Sequence, residues 1–262
     1  MKKLYEKSEI WFALVWIGLY VITMNIGLQF AGGLDDLAGK TAAGLLVPVV
    51  IGLVLAVAAT MWICRNGRQE KYGLCRVKGD WKGFLFFIPL IAMSLTNTTN
   101  GLGLTAPLVL CLLMAINMAV AGYVEEVIFR GFLFRAMAKD NMRSAVIVSA
   151  VTFGAGHIVN LANTEDTLGV LLQVGYAIVI GFMYTAIVYK GGSLWPCILS
   201  HMFVNGSSVF SLDAGPFTDL TVHIFGDAAP RAAELISCAL LVIVSGGYAL
   251  WLWKKTKSPA QA

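Results

Sequence analysis

Eight apolar stretches divide the chain, and each reads as a helix that crosses about 30 Å of hydrocarbon. They run Trp11–Phe30, Gly44–Cys64, Gly83–Thr98, Ala106 to Ala138, Ser144–Leu161, Leu168–Tyr189, Leu194–Phe210 and Ala233–Trp253. The third is short and contains Pro89, and Pro48 sits near the start of the second. Composition agrees: 58% of the 262 residues are hydrophobic and 13% are charged. That charged share is roughly half of what a soluble domain carries. The expected fold class is therefore all-α, a polytopic membrane protein with about eight transmembrane helices. It forms a single transmembrane domain over residues 1–262, with a motif-bearing core at about 106–210. A soluble enzyme is excluded, and a net charge of +4 is too small to argue for a nucleic-acid partner.

Loop charges set an orientation. Basic residues mark the N-terminus (Lys2, Lys3, Lys7) and the loop after the second helix (Arg65, Arg68, Lys71, Arg76, Lys78, Lys82). They recur after the fourth helix (Arg135, Lys139, Arg143), after the sixth (Lys190) and at the C-terminus (Lys254, Lys255, Lys257). The alternate loops are acidic or neutral: Asp35 and Asp36, then Thr98–Gly103, then Glu165 and Asp166, then Asp213, Asp219 and Asp227. This alternation predicts N-in and C-in. Met1-Lys2-Lys3 resembles a signal-peptide start, but no small-x-small cleavage site follows, so the first apolar stretch is expected to be a retained helix. Ser211 to Arg231 is the longest expected non-helical segment, and His223 within it reads as a solvated loop histidine. Five scattered cysteines (Cys64, Cys75, Cys111, Cys197, Cys238) read as packing residues rather than disulfides or a zinc site.

Three charges interrupt the fourth apolar stretch at Glu125, Glu126 and Arg130. Each costs roughly 2.5–3.5 kcal/mol at the bilayer centre on insertion scales. Glu126 and Arg130, at i and i+4, share a helix face and can neutralise each other. Glu125 is rotated off that face, has no local partner and is free for chemistry. An interfacial loop, in which all three meet water, is the structural alternative.

Two of the three histidines also lie in apolar helices. His157 closes Phe153-Gly154-Ala155-Gly156-His157, whose small residues allow close backbone approach and leave room beside the imidazole. His201 and Asn205 share a face at i and i+4. Each alone reads as an interhelical hydrogen bond, worth about 0.6 kcal/mol on average. One unpaired Glu, two His and one Asn on three helices form a hydrolytic set. Glu125 would take a proton from water with His157 beside it, and His201 with Asn205 would stabilise a carbonyl oxyanion. A zinc site on Glu125, His157 and His201 is the competing arrangement, although no His-Glu-x-x-His is present.

Glu125-Glu126-x-x-x-Arg130, Phe153-x-x-x-His157 and His201-x-x-x-Asn205 together resemble the three ordered motifs of the CPBP family. That family comprises CAAX proteases and the bacteriocin-processing Abi group, including Rce1-type prenyl-protein endopeptidases. The resemblance implies hydrolysis of a peptide bond in a membrane-associated protein or peptide. Family members are described as metalloproteases, whereas the Rce1-type mechanism uses glutamate-activated water without a catalytic metal. Carried over, it makes Glu125 the base, His157 its partner, His201 and Asn205 the oxyanion pair, and Glu126 with Arg130 the support.

For the residues to meet, the fourth helix must run through the acidic motif, broken or tilted near Gly122. Two other functions stay open. One is a non-catalytic bacteriocin self-immunity or scaffold protein. The other is a proton-coupled carrier, which predicts paired interrupted helices in related halves that the sequence lacks. The bilayer is a partner in every case, and a bacterial plasma membrane is the expected location.

Overall fold

The structure, a computed structural model, describes residues 1–32, 37–80 and 82–255. Asp35, Asp36 and Lys257, used above for the charge pattern, lie outside the described residues. Among the described residues the chain is helical, with one isolated bridge between Leu102 and Ser211.

A short helix α1 (Lys2–Lys7) leads into α2 (Glu9–Phe30), followed by α3 (Ala42–Arg65) and α4 (Phe87–Thr96). Next comes α5 (Leu108–Glu125), which continues without interruption through a π-helix (Glu126–Phe134) into α6 (Arg135–Ala138). The remaining helices are α7 (Met142–Gly156), α8 (Thr167–Gly191), α9 (Trp195–Ser208), α10 (Pro216–Phe225) and α11 (Ala229–Lys255). Side chains of Ser8, Thr41, Asn141 and Asp166 accept a backbone N–H at the starts of α2, α3, α7 and α8. Gly192, at a φ of 68°, ends α8 in the left-handed conformation.

Among the described residues, six helical segments are long and apolar enough to cross a membrane: Glu9–Phe30, Ala42–Arg65, Leu108–Ala138, Met142–Ala162, Thr167–Gly191 and Pro216–Lys254. Large side chains facing outward along them, such as Ile22 (60% exposed), Val54 (61%) and Ile243 (68%), suit a lipid environment. The third and seventh expected spans appear as shorter helices, α4 of 10 residues and α9 of 14. The expectation of a non-helical Ser211–Arg231 is corrected by α10. Pro216 at its first position is pre-set for a helix and follows Gly215. His223 is exposed there on a helix rather than in a loop. All five cysteines are free.

The α5–π–α6 rod is the centre of the packing. α3 and α9 lie against α5, while α2, α7, α8 and α9 meet the π-segment. α8 packs between α7 and α11, and α4 lies against α9 and α11. Glycines permit close crossings. A Cβ on Gly122 would lie 3.2 Å from the backbone of His201, and one on Gly181 would lie 2.9 Å from Ala150 Cα. At one end of the bundle, Glu9 accepts from Lys71 and Lys139, which gathers three of the basic segments together.

Gly154 is the tightest of these contacts, because an added Cβ would sit 2.3 Å from Ile178 Cγ1 and 2.7 Å from the Ile178 backbone nitrogen. Gly154→Ala is expected to destabilise the protein by about 1–3 kcal/mol through overpacking. Gly175→Ala, where nothing lies within 4 Å, should leave it unchanged or slightly more stable. Thermal unfolding of the two variants in detergent separates these outcomes.

Candidate active site

Glu125 and Glu126 occupy the junction at which α5 becomes π-helical. Widening of the turn from i→i+4 to i→i+5 bonding is rare and accompanies functional sites. Ser149 of α7 donates to the Phe129 carbonyl at 3.0 Å from a fully buried position, which supplies a partner within the altered ladder. The rod runs continuously through the acidic motif, as the meeting of the residues required, and it is not broken at Gly122. Gly122 instead provides the close approach of α9, and the irregularity begins four residues later at Glu126.

The two carboxylates face different surroundings. Glu126 is sealed, with its side chain 0% exposed, while that of Glu125 keeps 13%. Glu126 Oε1 accepts from Arg130 Nη1 at 3.0 Å, as the i, i+4 spacing predicted, and also from His201 Nδ1 at 2.9 Å. The second bond was not legible in the spacing. Among the described residues Glu126 Oε2 and Arg130 Nε and Nη2 lack hydrogen-bond partners. The guanidinium instead lies over the Phe153 ring at 4.0 Å and near the Tyr184 ring at 5.5 Å, so aromatic faces compensate part of its charge.

Glu125 is not left alone by the tertiary structure. Tyr20 of α2 donates to its Oε1 at 2.5 Å, and His201 Nε2 stands 3.5 Å from its Oε2. The His201 ring packs edge-on to Phe153 and beside Tyr184. With Nδ1 donating to Glu126, its Nε2 is turned toward Glu125. His157, expected inside a helix, sits where α7 gives way to a 3-10 turn (His157–Ala162). Its Nδ1 donates to the Phe153 carbonyl at 3.1 Å, since a carbonyl can only accept. That leaves Nε2 of the neutral ring as an acceptor. Asn205 Nδ2 makes a loose 3.5 Å contact with the Met118 carbonyl.

Glu125, His157, His201 and Asn205 all line one cavity of about 380 Å³. Gly156 and Phe129 also line it, so the small residues before His157 serve both expected purposes: Gly154 admits α8 and Gly156 leaves room beside the ring. Glu126 and Arg130 lie behind its wall. Tyr20, which also lines the cavity, was missed by sequence reasoning. The only signal was a hydroxyl in the middle of the first apolar helix. The alternative of an interfacial loop fails, because the three charges are helical and two of them are fully buried. Among the described residues no three His, Cys, Asp or Glu side chains form a metal-holding group. His201 engages Nδ1 with Glu126 and His157 engages Nδ1 with a backbone carbonyl, so each ring keeps Nε2 for the cavity.

A family model described as Type II CAAX prenyl endopeptidase Rce1-like matches residues 107–207. That span holds all three motifs, and the match agrees with the resemblance found in the sequence. A comparison with curated proteins finds no match.

Removing one partner of a buried ion pair strands the other, at a cost of about 3–5 kcal/mol. Arg130→Met, which roughly keeps the volume, is expected to lower stability by that amount, with Arg130→Lys between it and wild type. Denaturation in detergent would check the order of the three proteins.

Proposed function

We propose that this chain is an intramembrane endopeptidase that hydrolyses a peptide bond of a membrane-associated protein or peptide. The observation that carries the reading is the convergence of Glu125, His157, His201 and Asn205 on one cavity among apolar helices. The family match over residues 107–207 points to the same chemistry.

In this reading Glu125 is the general base. A water beside it gives one proton to the carboxylate, and the Nε2 acceptor of His157 orients its other hydrogen. The water oxygen bonds to the substrate carbonyl carbon as the carbonyl π pair moves to oxygen. Asn205 Nδ2–H and His201, protonated on Nε2, donate to that oxyanion. Collapse re-forms the carbonyl and breaks the C–N bond, and Glu125 returns its proton to the departing amine. Glu126, held by Arg130, fixes the His201 ring through Nδ1. Tyr20 holds the Glu125 carboxylate in register. No step requires a metal, and treatment with a chelator tests that directly.

The same reading places the basic ends in the cytoplasm of a bacterial cell. The union of Lys71, Lys139 and Glu9 at one end supports a shared side for these basic segments. Eight crossings then require α4 and α9 to be continued across the bilayer by the turns that flank them.

Peptide-library cleavage by purified protein is the test. Glu125→Gln is expected to lower turnover by about 10²–10⁴-fold and Asn205→Ala by about 10²–10³-fold. Cleavage should survive chelator. Loss with chelator and recovery with zinc would instead make His157 and His201 metal ligands. Full biological effect retained by Glu125→Gln would end the catalytic reading. Tyr20→Phe should lower kcat about tenfold with KM unchanged, the loss of one charge-assisted hydrogen bond of about 1.5 kcal/mol.

A further inference from the structure

A hydrolase inside hydrocarbon needs a supply of water, and the active-site cavity is continued by a second one. This second cavity, about 470 Å³, lies between α4, α8 and α11 and shares Thr96, Asn97, Asn160, Gln173, Tyr176 and Leu241 with the first. Five of these six shared wall residues carry polar groups, in helices whose outer faces are apolar. Asn160 donates to Gln173 at 2.9 Å across the boundary, and Asn97 donates to the Val204 carbonyl and to Ser207.

The helix registers show a face rather than a scatter. On α11 the second cavity is lined by Glu234, Ser237, Cys238 and Leu241, which follow the i, i+3, i+4, i+7 pattern of a single stripe. On α8 the lining runs from Gly169 through Gln173 and Tyr176 to Ala177 and Ile180 in the active-site cavity. From Asp166 to Ile180 that is about 20 Å along the helix, or most of the hydrocarbon thickness. The outer end carries a charged cluster, in which Arg231 bonds to Asp166 and Glu234. Charges at a mouth, amides along the wall and a carboxylate–imidazole pair at the far end form a hydrophilic gradient.

We propose that the gap between α4, α8 and α11 is a hydrated passage. Water would reach Glu125 and His201 through it, entering at the helix ends that bear Asp166 and Glu234. The use of that water rests on the hydrolytic reading, whereas the passage itself rests on the walls. It lies at the opposite end of α8 from Lys190, away from the basic end of the bundle.

Thiol accessibility in the full-length protein reconstituted into liposomes tests the passage without reference to activity. Leu241 faces the passage, while its neighbour Leu240 is 46% exposed on the outer face at the same depth. The probe is a membrane-impermeant, positively charged methanethiosulfonate, and mass spectrometry locates the label. Leu241→Cys is expected to react at least about tenfold faster than Leu240→Cys, one unit of thiol pKa between a hydrated and an apolar setting. Native Cys238 in the unaltered protein should react as well, which covers the case in which a variant fails to fold. Equal, slow labelling at 241 and 240 with an inert Cys238 would overturn the proposal. Fast labelling at 241 in a protein that cuts no peptide would leave the passage standing and remove the protease reading.

Discussion

The Glu126–Arg130 pair is the interaction on which the site depends. Both side chains are fully withdrawn from solvent. Desolvation of two charges costs several kcal/mol per ion, so mutual attraction alone makes such a pair a poor source of stability. What the pair provides is direction. Glu126 Oε1 accepts from Arg130 and His201 together, which ties one ring nitrogen of α9 to the rod. Phe153 and Tyr184 cover the guanidinium, and those same rings flank the His201 imidazole. One charged knot therefore sets the position of α7, α8 and α9 around the π-segment.

The π-segment explains how two adjacent carboxylates acquire opposite roles. A break in α-helical bonding between Glu125 and Glu126 separates a residue facing the cavity from one facing the core. Gly122, one turn earlier, lets α9 come close enough for His201 to touch both. Strain or irregularity at this junction is tolerable because it is surrounded on every side by packed helices. An isolated helix with the same sequence would have no reason to adopt it.

Local information was readable from the sequence, and information that depends on chain crossings was not. The Glu126–Arg130 contact is an i, i+4 event and follows from periodicity. The glycines before His157 declare a close approach without naming the partner, which is α8. Tyr20 reaches Glu125 across 105 residues, and no spacing rule connects them. The same limit hid the second partner of Glu126. Hydropathy also blurred two lengths: apolar character extends beyond the ends of α4 and α9, so the expected spans exceeded the helices. In the opposite sense, the polar turn signals around Gly215-Pro216 concealed α10, because Gly-Pro punctuates a loop and starts a helix equally well.

The hydrophobic average conceals the polar lining of the cavities. α8 qualifies as membrane-crossing although it carries Gln173, Tyr176 and Tyr184. These polar groups do not lower the mean enough to be noticed, yet they lie on inward faces. Gln173 and Tyr176 line the cavities, and Tyr184 shares a hydrogen bond with Ser200 beside the His201 ring. The large side chains exposed on the outside include apolar ones such as Ile22, Val54 and Ile243. A chain can therefore present an almost uniform apolar pattern to a membrane and still enclose a continuous polar interior, provided that each helix reserves one stripe for it. The charge at Glu125 is tolerated because it stands where such stripes from α2, α5, α7, α8 and α9 meet.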